Sequence, residues 1–409
     1  MTARLAALLM CSTLPACEGA LVSPLAGEPD RRESGADAFQ SAPAIEFPAE
    51  TDSNSPMHWS GDTLFVFNSV DSANADPSLW VPSRSEGASA ESLGATRHVR
   101  YTHAQFDGRQ EGRQWLEATW KDPASGVLYG WFHNEPWGTC PGTGLTAPRI
   151  GALRSFDDGA TWEHLGLILV APGEPDCSTA NGYFAGGNGD FSVMLDAAGE
   201  YFYFFYSSFS GGAADQGVAL AWMAAGDRDA PAGKVYKWNA GDWYSPGIGG
   251  QASPILPAMS DWMGDEPDAF WGPAIHWNRY LDEYVILLNR AVDSSWKQEG
   301  IYAMFGVKLD DPDEWSAPVR LADAPASNGW YPQVMGLDPG DTDKSAGRVA
   351  RFFVGGRSTR TIDFGALRAW LGVLARHAAF DFLRNRRRHP TVRWRGEETT
   401  RLEAAYPDS

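Results

Sequence analysis

Three carboxylates, three histidines and a group of aromatic and amide side chains along this chain are of types that can act in catalysis or ligand binding. Glu117, Glu135 and Asp190 are the candidate acid/base groups. Carboxyls held in unlike environments can give one proton and take another in a single reaction. His58, His133 and His276 are of the type that transfers protons near neutral pH or binds hydroxyl groups. Trp271, Tyr331 and Gln333 offer flat faces and hydrogen-bonding edges suited to binding a sugar ring. Each has a plainer reading beside it: an acid capping a strand turn or facing water, a buried histidine satisfied by its neighbours, an aromatic residue in the core. No Cys/His spacing fits a zinc site, so no metal ligands and no cofactor are assigned. A calcium ion would need several oxygen ligands, which one sequence does not assign across separate strands.

Five hairpins must position these groups. Ser55–Asn68, Leu116–Glu135, Gly189–Ser208, Phe270–Arg290 and Tyr331–Gly355 share one pattern. A short strand reaches a turn bearing Asp, Asn or Gly, and a stronger aromatic strand returns. Successive copies start roughly 60 to 80 residues apart, beyond the ~40–50 of common propeller repeats, which leaves room for long loops. The pattern predicts an all-β, five-bladed β-propeller in which each hairpin is the inner half of a blade. The first strand of every blade then lines a central channel. That places Ser55, Pro56 and His58, Glu117, Asp190, Trp271 and His276, and Tyr331 and Gln333 at comparable innermost positions.

Outer hairpins follow at Ile150–Leu169, Val218–Trp243 and Ile301–Leu321, each with an acidic turn and a Trp. Ser155-Phe156-Asp157-Asp158-Gly159-Ala160-Thr161-Trp162 matches the pattern S-x-D-x-G-x-T-W and resembles the Asp box of sialidases and many other propellers. In that turn Ser and Asp cap the backbone, Gly takes positive φ and Trp packs beneath. The fifth copy has no evident outer hairpin after Gly355, so its blade is expected to be incomplete. Phe364–His389 instead shows helical spacing at Leu367, Trp370, Leu371, Leu374, Ala378 and Phe382, with a basic cluster at Arg384–Arg388. Residues 365–389 resemble a fragment of an extracytoplasmic-function sigma factor. A fusion or frameshift product and a genuine amphipathic helix both fit, and 390–409 reads as a tail.

Arg4 and the short apolar run Leu5–Leu14 read as a signal peptide, too short to span a membrane. Leu14-Pro15-Ala16-Cys17 resembles a lipoprotein lipobox, which implies cleavage within residues 1–17, lipidation at Cys17 and a membrane-anchored, exported protein. An ordinary secretory signal is the alternative. Residues 18–48 read as a flexible tether and 49–364 as the propeller. Export permits a disulfide between Cys140 and Cys177. A net charge of −19 argues against nucleic acid as the propeller's partner; a monomer is expected.

The residues NSPMHW (54–59), YGWFHNEP (129–136), GNGDFSV (187–193), FWGPAIHWN (270–278) and GWYPQV (329–334) carry a further likeness. From Ser55 to about Phe364 the chain resembles uncharacterised bacterial proteins related to the five-bladed glycosidases of family 43. That resemblance implies hydrolysis of a poly- or oligosaccharide by a base in blade one, a tuning Asp in blade two and an acid in blade three. Here Ser55 stands where the blade-one Asp is expected. Asp52 swinging in, His58 acting as base, or a site that only binds sugar are the readings this leaves. A catalytically silent carbohydrate-binding propeller is therefore the second reading. A sigma-factor-like transcription protein, resting on 365–388 alone, is a remote third.

Overall fold

The computed structural model describes residues 38–69, 76, 79–103, 111–293, 296–323 and 329–372. Five separate sheets succeed one another along the chain. All five expected hairpins form the inner pairs of these sheets. Their inner strands are Met57–Ser60, Arg113–Lys121, Asn188–Leu195, Ala269–Asn278 and Pro332–Gly336, and each pairs antiparallel with the returning strand of its own hairpin, which in blade five is Val349–Val354. The three expected outer hairpins are also present, at 149–169, 217–239 and 298–323.

Side chains packed between neighbouring sheets close the ring. Leu116, Phe132, Leu153 and Trp162 meet Phe67 between blades one and two. Trp131 and Ile150 meet Phe191 and Phe204 between two and three. Phe205 and Leu220 meet Ile286 and Met304 between three and four. Val285 and Leu287 meet Val334 and Phe352 between four and five. Ile45, Met335 and Phe353 meet Met57 and Val66 between five and one. Strands apolar on both faces are what a sheet needs when it is covered on both sides. This explains the near-continuous aromatic run Tyr201–Ser208.

The fifth blade departs from the sequence expectation. It is four-stranded, because Phe39–Glu46 pairs antiparallel with Arg357–Asp363 as its outermost strand. In sequence that segment reads as tether. Its composition is polar because only one edge and one face are covered, while Ile45 and Phe47 fill the layer between blades five and one. The ring is thus closed by a strand from the other end of the propeller sequence. After blade five, Asp363 caps a helix over residues 364–372, accepting from the amides of Gly365 (2.8 Å) and Ala366 (3.2 Å). Phe364 and Leu367 are buried in the layer between blades four and five. The remaining basic part of the expected helix, the tail, and residues 1–37 with Cys17 lie outside the described residues.

The turn at Ser155–Trp162 is closed by its own side chains. Gly159 N donates to Ser155 Oγ (2.8 Å), and Thr161 N donates to Asp157 Oδ1 (2.8 Å). Gly159 has φ 83°, and a Cβ there would lie 2.3 Å from the Phe67 ring.

Candidate active site

The inner strands are irregular at one level of the channel, and that is where the acids project. In blade two the pairing slips between Leu116 and Ala118, leaving Glu117 as the extra residue of a bulge. In blade three it slips between Gly189 and Phe191, leaving Asp190 with φ 38°. In blade four it slips between Trp271 and Ala274, at Gly272 with φ 58°. Tyr331, just before the inner strand of blade five, has φ 56°. A bulge re-aims a side chain out of the sheet's alternation, here toward the channel. Neighbouring strands hold these strained positions. Tyr331 N donates to Asn289 Oδ1 (3.0 Å), Gly272 N to Ser207 Oγ (3.0 Å), and Ser207 Oγ in turn to the Asp190 carbonyl (3.2 Å). Gly189 must lack a side chain, since a Cβ would sit 2.5 Å from His133 Cε1.

His133 is the centre of the cluster. Its Nδ1 lies 3.0 Å from the Asp190 amide nitrogen and 3.3 Å from Glu117 Oε1. Its Nε2 lies 3.6 Å from Glu135 Oε1. The neutral ring accepts from the amide, and the protonated ring pairs with the two carboxylates. Glu117 Oε2 accepts from Phe191 N at 2.8 Å, and Asp190 Oδ1 accepts from the Tyr331 hydroxyl at 2.9 Å. Glu117, His133 and Asp190 are 1%, 3% and 4% exposed. One ligand atom from each of the three lies within 4.8 Å of the others, a donor set that would also accommodate a cation.

Burial and mutual repulsion set the charge. Burial, against a weaker pull from His133, pushes Asp190 up to about 7, with Glu117 and Glu135 adding to the rise and the Tyr331 hydroxyl opposing it. Glu117 is raised by burial, opposed by His133 and the Phe191 amide. Burial by itself disfavours the charged ring of His133, but Glu117, Glu135 and Asp190 outweigh it and hold the imidazole well above its ordinary value.

A further acid joins them. Asp52, on the stretch leading into blade one, is pushed up to about 7 by burial and by Asp190, Glu135 and Glu50, with His133 opposing. No lysine or arginine of the described residues is among the main groups acting on Asp52, Glu117 or Asp190. Asp52 also lines a cavity of about 940 Å³ with Glu50, Thr51, Trp330 and Arg357, between blades five and one. Ser55 is buried, with its N–H donating to Gln333 Oε1 (2.7 Å) and its carbonyl accepting from Gln333 Nε2 (3.0 Å). In sequence Asp52 is visible only as an acid three residues upstream of the expected position.

The other predicted site residues lie elsewhere. Gln333 is the clamp on Ser55 and joins blades five and one. Trp271 is 1% exposed, edge-on to Trp296 and Tyr331 at 5.0 and 5.4 Å, and presents no face to a ligand. His58 is buried between blades one and two, stacked on Phe65 and 3.2 Å from Asp158; burial lowers it to about 4. His276 is buried beside Phe364, and burial lowers it to about 3. Both histidines are separated from the acids by being on the packed faces of their inner strands, which alternation alone does not distinguish from channel-facing positions. Glu117, Glu135, His133, Asp190 and Tyr331 do converge. Cys140 and Cys177 form a disulfide that ties the loop after Glu135 to the loop before Asn188.

Polar side chains also tie the inner strands of different blades to one another. Asn54 Nδ2 reaches from blade one to the carbonyls of Phe191 (2.9 Å) and Pro273 (3.0 Å). At the opposite end from Tyr331, Lys344 Nζ donates to Ser192 Oγ (2.8 Å), and Asp343 accepts from Met57 N (3.0 Å).

Fold and site together define a five-bladed β-propeller with an acidic, histidine-centred channel mouth. No family model matches the chain, and no curated protein sequence matches it. Among solved structures it is similar to an exo-β-1,3-galactanase from Phanerochaete chrysosporium, at 14% identity and a TM-score of 0.44, over 79% of this chain and 64% of that one. A putative exo-β-1,3-galactanase from Bifidobacterium bifidum is also 14% identical, with a TM-score of 0.43 over 78% of this chain and 91% of that one. An endo-arabinase from Bacteroides thetaiotaomicron is 10% identical, with a TM-score of 0.46 over 78% and 96%. At such identities and TM-scores these likenesses carry nothing about activity, and the propeller rests on its own five sheets and five packed layers.

Proposed function

We propose that this propeller hydrolyses glycosidic bonds at the channel mouth. The observation that carries the reading is the convergence of Asp52, Glu135, Glu117 and Asp190 on His133, with two of the acids holding their protons to about pH 7. Asp52, lining the cavity, acts as the general acid and gives its proton to the leaving glycosidic oxygen. Glu135, half-buried at the rim, takes a proton from the attacking water as the C–O bond breaks. Glu117, His133 and Asp190 are too buried to touch a substrate. They act through the other two, His133 orienting Glu135 and the buried charge keeping Asp52 protonated.

The purified chain, assayed on aryl glycosides and mixed neutral polysaccharides, should release reducing sugar, with Asp52→Asn and Glu135→Gln each slower by ~10²–10⁴-fold. Turnover unchanged in both variants overturns this assignment. The burial of Glu117 and Asp190 favours one second reading, a carbohydrate-binding propeller without turnover. Binding with no turnover, unchanged in Asp190→Asn, would establish it.

The protein is further proposed to be exported and lipid-anchored at Cys17. The Cys140–Cys177 disulfide supports this, because such bonds persist in oxidising compartments. Loss of membrane fractionation and of fatty-acid labelling in Cys17→Ala tests it; unchanged labelling refutes it.

A further inference from the structure

The rim beside Glu135 carries an aromatic group that the acid/base chemistry leaves unused. Trp137, two residues beyond Glu135, is 47% exposed. It is not a solitary surface residue. Its ring lies 5.2 Å from that of Trp80, and the Arg113 guanidinium lies 4.6 Å from the Trp80 ring. Arg113 in turn is the residue paired with Glu135 across blade two. The cluster Arg113–Trp80–Trp137 is thus fixed to the strand ends that present Glu135. The loop is braced behind it, with Thr139 Oγ1 donating to the Pro136 carbonyl (3.1 Å) and Cys140 bonded to Cys177. A rigid indole held partly in water keeps apolar area exposed that a ligand can cover with little ordering cost. On the blade-five side of the mouth the cavity at Asp52 has its own indole, Trp330, fixed by its Nε1 donating to the Trp296 carbonyl (3.1 Å).

We propose that Trp137, backed by Trp80, is a sugar-binding subsite adjoining Glu135, and that the substrate is an oligosaccharide or polymer held on both flanks of the acids. Indole faces stack on the C–H faces of pyranose or furanose rings, while the neighbouring carboxylates accept their hydroxyls. One sugar occupies the Asp52–Trp330 cavity, and the chain continues over Glu135 onto Trp137. This subsite rests on the carbohydrate reading above and extends it to the size of the substrate.

The test compares wild type, Trp137→Ala and Trp137→Phe on neutral tri- and tetrasaccharides of hexose and pentose units and on aryl monoglycosides. Binding is followed by calorimetry and hydrolysis by product release. Trp137→Ala should weaken tetrasaccharide binding by about tenfold, the equivalent of one lost aromatic stack, with Trp137→Phe recovering part of it. The ratio of kcat/KM for tetrasaccharide over aryl monoglycoside should fall by a similar factor, through KM rather than kcat. Equal oligosaccharide binding by Trp137→Ala and wild type overturns the subsite while leaving hydrolysis intact. Oligosaccharide binding that depends on Trp137 without any turnover upholds the subsite and overturns hydrolysis. A wild type that binds none of the oligosaccharides overturns both.

Discussion

The Tyr331 hydroxyl donates to Asp190 Oδ1 at 2.9 Å, joining blade five to blade three across the channel. Both residues have positive φ, so two strained backbones are held against one hydrogen bond. Tyr331→Phe leaves a buried carboxyl oxygen without its donor. The variant should lose about 1–3 kcal/mol in denaturant unfolding. Because this bond favours the charged form of Asp190, the acid should also hold its proton to higher pH in the variant, read in a carboxyl titration profile by infrared or NMR spectroscopy. A variant with wild-type stability and profile would show that the bond has neither role.

Asp52 and Asp190 bind protons more tightly in the folded protein than in the unfolded chain, both being raised to about 7 by burial and by neighbouring acids. Their stabilising contribution is complete below the ordinary carboxyl range and is lost as pH rises from about 4 through about 7. Asp52→Asn and Asp190→Asn should therefore flatten the fall of the melting temperature over that interval relative to wild type. Parallel curves for variant and wild type would mean that neither acid holds its proton to neutral pH in the fold.

His276 has the opposite sign. Its folded value is lowered to about 3, so its contribution is present above the ordinary histidine range and is lost as pH falls toward about 3. Protonation there places a charge in the layer between blades four and five, beside Phe364. His276→Gln should be less acid-sensitive than wild type in thermal unfolding between about pH 6.5 and about 4; equal sensitivity would mean that the ring is charged in the fold.

Residues 39–46 close the ring, so a protein beginning at residue 48 should fail to fold stably. It loses the outermost strand of blade five together with Ile45 and Phe47 from the layer against blade one. A drop of several kcal/mol, or insolubility, is expected in expression and unfolding assays. A soluble truncated protein with unchanged melting would show that blade five is complete without this strand.

The Cys140–Cys177 disulfide spans 37 residues. Replacing both cysteines by serine should cost ~2–4 kcal/mol by widening the unfolded ensemble. Wild type in reductant should match the double variant; a larger loss in the double variant would mean that the thiols pack poorly as serines.

Local pattern made much of this protein legible. Glu117 and Asp190 stand on inner strands and Glu135 at the end of a returning strand, and each of the five hairpins forms where alternation and turn residues place it. The acid convergence followed from counting those strands as blades. Asp52 was harder, because nothing in its immediate sequence distinguishes a half-buried acid from a solvated loop. Its state comes first from burial by the fold, then from Asp190 and Glu135 on distant strands, with neighbouring Glu50 adding to them.

Strand pairing, hairpin turns and the five-fold repetition are local, and the amino-acid sequence determined them. Which face of an inner strand meets the channel was decided only in three dimensions. Bulges at Glu117 and Asp190 turn these acids inward, whereas regular pleating keeps His58 and His276 in the packed layers between blades. Trp271 and Gln333 were likewise assigned by contacts with distant residues, Trp296 and Ser55. Completion of blade five by Phe39–Glu46 is the longest such dependence. A polar strand has no local reason to order, and it does so because an open sheet edge and an apolar gap wait for it at the far end of the ring.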